Sequence, residues 1–156
     1  MNKKTAHAPI KKKTYQIGDV LPDGWIVGPV SPTTHKVIAI ESPKTAPQEY
    51  RRWHAGESHA EKLRTQGHTN ARQPNSNELT ALYNEIVKAD RNQAAQLNTE
   101  PYIGKYWASD SPQSAGRQPN IAYIQRLDSG VRAEEFKDDV IARVRCIRDE
   151  PELQLI

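Results

Sequence analysis

The chain has 156 residues, a formal net charge of +3, 36% hydrophobic residues and a mean hydropathy of −0.82. That length fits one domain, and the low apolar content limits it to a modest core leaning on three Trp and six Tyr. No apolar run of about 18 residues occurs, which excludes a hydrophobic membrane span, and the single cysteine, Cys146, excludes an internal disulfide.

The positive charge is concentrated in Lys3, Lys4, Lys11, Lys12 and Lys13, and without these five the chain is close to neutral. Residues 1–13 read as a disordered basic tail; the alternative is an arm for nucleic acid, anionic lipid or an acidic partner. No apolar segment follows Met1-Asn2-Lys3-Lys4. The expectation is a cytoplasmic protein, or one exported without a cleaved signal peptide. Residues 14–149 are expected to form a single domain and 150–156 a C-terminal tail.

Gly18-Asp19 and Pro22-Asp23-Gly24 are turn signals. Trp25-Ile26-Val27 and Val37-Ile38-Ala39-Ile40 read as two strands joined by a long turn-rich loop. After the breaker segment Ser42–Pro47 a helix is predicted from about Gln48, with Trp53, Gly56, Ala60 and Leu63 on one narrow face and Gly67 as its terminating residue. A second helix opens at Asn75, with Glu78 three residues on completing a capping box. Its Leu79, Leu82, Tyr83 and Ile86 form an apolar stripe.

Tyr106-Trp107-Ala108 is a short strand or a packed loop, and residues 109–120 are a Ser- and Pro-rich loop. Ile121–Leu127 is a strand, Asp128-Ser129-Gly130 its turn, and Val131–Phe136 a return strand. Ala142, Val144 and Cys146 alternate with Arg143 and Arg145, the pattern of a half-buried strand. The fold class is therefore α+β, two helices on a small, mainly antiparallel sheet with long loops.

Several motifs in this order carry a resemblance. Trp53, Gly67-His68, Arg72-Gln73-Pro74-Asn75, Glu78-Leu79, Tyr106-Trp107-Ala108-Ser109, Ser129-Gly130 and Val144-Arg145-Cys146-Ile147-Arg148 follow one another at fixed places. The chain resembles, over about residues 16–149, a bacterial domain family found at the C-terminus of collagen-like adhesins. That resemblance implies a C-type-lectin-like fold, related in shape to formylglycine-generating enzymes and phage receptor-binding variable domains. Asn75 stands where the family has Thr, Ala108 where it has Ser, and Ala71 where it has a Trp. The shared motifs are structural, and no catalytic residue carries over.

Chemistry-bearing constellations are sparse. Gln-Pro-Asn occurs at 73–75 and 118–120, but the Trp-Asn-Asp that accompanies such a triplet in calcium-dependent sugar binders is absent. His54 and His59 lie five apart and splay on a helix, and no Cys cluster accompanies them, so no metal ligand set is expected. Cys146 reads as a small buried hydrophobe rather than a nucleophile. An enzyme of the formylglycine-generating shape would instead place a deep pocket around it. Arg143, Arg145 and Arg148 are expected to pair with Glu134, Glu135, Asp138 and Asp139, or to meet an anionic ligand if those acids point elsewhere.

The leading expectation is a non-catalytic binding module without cofactor, recognising a protein partner through loops 28–36 and 109–120. Candidate contact residues are Asp110, Arg117, Gln118, Asn120 and Tyr123. Alternatives are a secreted effector or phage-encoded factor acting on a host protein, and a binder of anionic glycan or nucleic acid through the basic residues.

Overall fold

The computed structural model describes residues 13–112 and 120–156. The chain is α+β, with strands β1 (Lys13–Tyr15), β2 (Ile26–Val30), β3 (Val37–Ile40), β4 (Lys105–Trp107), β5 (Ile121–Arg126), β6 (Arg132–Phe136), β7 (Ile147–Asp149) and β8 (Leu153–Leu155). Helix α1 spans Trp53–Thr65 and α2 spans Ser76–Leu82, continued by a π-helical turn over Tyr83–Val87; α3 is one short turn, Asn92–Ala95. The strands form two antiparallel three-stranded sheets, β2-β3-β7 and β4-β5-β6, and one parallel pair, β1-β8. The single sheet expected from sequence is thus divided. Among the described residues no helix is long and apolar enough to cross a membrane.

Sheet β2-β3-β7 is buried on both faces. Ile26, Ile38, Ile40 and Ile147 pack with Leu79, Leu82 and Ile86 of the α2 segment. Their neighbours Trp25, Val27, Val37, Ala39 and Cys146 pack with Ala60 and Leu63 of α1 and with Leu153. Period-two alternation sends successive side chains to opposite faces, so a strand covered on both sides reads as the unbroken apolar run Val37–Ile40. A third cluster joins Trp107, Ala122, Ile124, Ala142 and Val144, with Trp53 packed against it.

Helix α1 starts five residues later than expected, because Arg51 pairs with Ala142 through two backbone hydrogen bonds of 2.8 and 2.9 Å and holds the approach extended. Its end is as read: Gly67 takes φ +100° and the His68 amide reaches back to the Leu63 carbonyl at 3.1 Å, a left-handed termination that glycine permits without a Cβ clash. The capping box of α2 forms, with Asn75 accepting from the Glu78 amide and Glu78 accepting from the Asn75 amide.

Two segments depart from the sequence reading. In residues 142–146 only Ala142 and Arg143 make isolated bridges, in place of a continuous ladder, and Arg145 is buried, not outward. Its guanidinium donates to the carbonyls of Glu41 (2.7 Å), Ala95 (2.9 Å) and Gln96 (3.3 Å). Hydrogen bonds to three carbonyls offset the loss of hydration that keeps most arginines outside. Residues 150–156, expected as a tail, carry β8, which lies beside β1 with Lys13 opposite Leu153. Burial of Leu153 against Leu21 and Trp25 gives that segment its reason to dock.

Candidate functional site

The N-terminus of α2 is where the two loops singled out from sequence converge. Ser31, fully buried, donates its hydroxyl to Glu78 Oε2 at 2.6 Å and accepts from the amides of Thr33 and Thr34, each at 3.1 Å. Thr33 Oγ1 in turn accepts from Asn75 Nδ2 at 2.9 Å, and the Thr34 hydroxyl donates to Asp149 Oδ1 at 3.0 Å. The tip of loop 28–36 is therefore clamped by its own buried serine and tied to both α2 and β7.

The other loop arrives from the far side. Asp110 accepts from the Ser76 amide through Oδ1 and from the Ser76 hydroxyl through Oδ2, both at 2.7 Å. A carboxylate at this place satisfies an amide that the helix cannot pair internally and complements its positive end. The Asp110 carbonyl also accepts from the Tyr123 amide at 3.2 Å, joining this loop to β5. Arg132 of β6 lies with its guanidinium 5.1 Å from the Tyr123 ring centroid and donates to Asn77 Oδ1 (3.3 Å) and Thr80 Oγ1 (3.1 Å).

Under this surface sits a buried carboxylate, Glu78, which accepts from Arg72 Nη1 and Nη2, each at 2.7 Å, from the Ser31 hydroxyl and from the Asn75 amide. Burial pushes its carboxyl up, but Arg72, Ser31 and the Asn75 N–H outweigh burial and hold it below the usual glutamate range. Arg72 also reaches Asp149 Oδ1 at 3.1 Å. The result is a rigid base carrying an exposed polar rim of Thr33, Asn77 and Arg132.

Of the candidate contact residues, Asp110 and Tyr123 are brought together and both face structural partners. Asn120 is exposed, and its carbonyl accepts from the Lys137 amide at 2.6 Å. Arg117 and Gln118 lie outside the described residues. The three arginines near the end of the chain find partners other than those expected. Arg143 donates to the carbonyls of Ile103 and Gln48, and Arg148 lies over Trp25 and pairs with Asp23 and Glu150.

One constellation was invisible in the sequence. Glu41, at the end of β3, is fully buried, and its Oε2 lies 2.7 Å from His59 Nε2 of α1 and 2.9 Å from the donating Thr45 hydroxyl. Its Oε1 accepts from the Cys146 amide at 3.1 Å. The Cys146 thiol is buried in the same place, and burial, then Glu41 and Glu57, push it far above the ordinary thiol range, the opposite of an activated nucleophile. Glu41, His59 and Cys146 are separated by 18 and 87 positions, so no local spacing announces them. The only signal is a carboxylate directly after a run of four apolar residues. No family model matches the chain, and no curated protein matches it.

Proposed function

We propose that the chain is a non-catalytic recognition domain with a C-type-lectin-like fold, binding a protein partner through the platform at the start of α2. The observation that carries this reading is the convergence of loops 28–36 and 109–112 on Asn75 and Ser76, braced from below by Ser31 and Glu78. A surface already fixed before its partner arrives loses little conformational entropy on binding. Loops on a rigid scaffold are also where recognition residues collect. The rim offers hydroxyl, amide and guanidinium groups, with Arg132 as a planar donor. The fold assignment draws on the motif order, whose capping box, buried Trp107 and Gly130 turn occupy defined structural places.

The test is affinity capture from host and bacterial lysates, using the full chain, a copy lacking residues 1–12, and the double variant Thr33→Arg/Asn77→Arg. The reading expects one saturable protein partner, retained by the shortened copy and bound at least tenfold more weakly by the double variant. Equal binding by the double variant would refute the platform. Binding lost with the first twelve residues and in moderate salt would favour a polyanion through the basic tail.

A further inference from the structure

We propose that Glu41, His59 and Cys146 form a binding site for a single zinc-class divalent ion. One ligand atom from each residue can be chosen so that all three lie within 4.8 Å of one another, and all three side chains are buried or nearly so. Zinc holds nitrogen at about 2.0 Å and sulfur at about 2.3 Å in tetrahedral array, which sets ligand atoms roughly 3.5 Å apart. The cluster reaches that spacing by opening the 2.7 Å contact between His59 and Glu41 and drawing the sulfur in.

The donor set is one imidazole nitrogen, one carboxylate oxygen and one sulfur, which suits a borderline-soft ion and not calcium or magnesium. Charge also balances. A divalent cation with one thiolate, one carboxylate and a neutral imidazole leaves the buried site with no net charge, at the expense of the thiol proton. The supporting shell is present: Thr45 donates to Glu41 Oε2 and the Cys146 amide donates to Oε1, fixing the carboxylate. A surface cleft of about 230 Å³ bordered by Thr45, Ser58 and His59 brings solvent to the outermost of the three ligands, while Glu41 and Cys146 lie fully buried behind it. Three protein ligands leave the fourth position to water. The ion would tie the end of β3 to α1 and to the segment entering β7, and it is independent of the platform at α2.

Because Cys146 is the only cysteine, a sulfur-to-metal signal has one source. The test is titration of the full chain, stripped with a chelator, with cobalt(II), followed by zinc. The expected result is one equivalent of cobalt with a near-ultraviolet thiolate charge-transfer band and four-coordinate visible bands, all abolished by zinc. Cys146→Ser should lose the charge-transfer band, and Thr45→Val should bind roughly tenfold more weakly. Absence of that band in the wild-type chain overturns the site, leaving a buried hydrogen-bond network. Undiminished binding by Cys146→Ser together with His59→Gln overturns it as well, by placing the metal elsewhere. The wild-type titration decides the matter even if a variant fails to fold.

Discussion

Replacing Glu78 by Gln keeps the shape of the side chain and removes its charge. The amide oxygen can still accept from the Asn75 N–H, but the amide nitrogen in place of Oε2 confronts two groups that donate to that oxygen, Arg72 Nη2 and the Ser31 hydroxyl. Breaking a buried ion pair by removing one partner costs about 3–5 kcal/mol. Here the Arg72 side chain is 31% exposed and keeps Asp149 at 3.1 Å, so water and the second acid take up part of the stranded charge. The expected loss is about 2–3 kcal/mol, against about 1 kcal/mol for Asn75→Ala, which removes the cap and an exposed side-chain bond to Thr33.

Urea denaturation at pH 7 measures both losses, and acid supplies the control. A carboxyl held below its ordinary value in the folded state contributes stability that is complete above its unfolded value, about 4.3, and is lost as the pH falls through the folded value. The gap between wild type and Glu78→Gln should therefore be full at pH 7 and close progressively in acid, as the wild-type carboxyl becomes neutral. A loss below about 1 kcal/mol at pH 7, or a gap that stays constant in acid, would refute the electrostatic account of this residue.

Two further perturbations probe other parts of the fold. Gly56→Ala would place a Cβ 2.3 Å from Gln73 Oε1 and 2.4 Å from its Cδ, in a side chain that is itself buried and held by Glu57. Overpacking outweighs the gain of about 1 kcal/mol in helix propensity, so thermal melting should show a net loss of about 1–2 kcal/mol. Arg145→Met strands the carbonyls of Glu41, Ala95 and Gln96 and should lower stability by about 3 kcal/mol in urea. Arg145→Lys should not restore it, because an ammonium cannot span three carbonyls as a planar fork does. A fully stable Lys variant would show that charge alone matters there.

What could be read in advance depended on the range of the interaction involved. The Asn75–Glu78 cap, the Gly67 termination and the Gly130 turn are local: a few adjacent residues contain the whole physical reason for each, and all three are present. Strands β2, β3 and β5 were legible from apolar runs between turn signals, and β6 as the return strand after the Asp128-Ser129-Gly130 turn. Arg145 was misread because alternation assigns a face but not what covers it. The carbonyls that hold this arginine lie about fifty and a hundred positions away. Strand β8 was missed for the same reason, since its partner β1 stands at the other end of the sequence. Asp110 was singled out from sequence as a candidate contact residue in a polar loop, but its bond to Ser76 spans 34 positions and no local pattern announces it.

The parallel pairing of β1 with β8 has a mechanical consequence. Tension applied to the two ends pulls β1 from its Lys13 side and β8 from its Leu155 side, and in a parallel ladder these lie at opposite ends. The load then shears the pair, so its bonds must give way together instead of peeling one at a time. Should this domain be tethered at both ends, its lifetime under force would be set by rupture of this short clasp, an unfolding rate rather than an equilibrium stability.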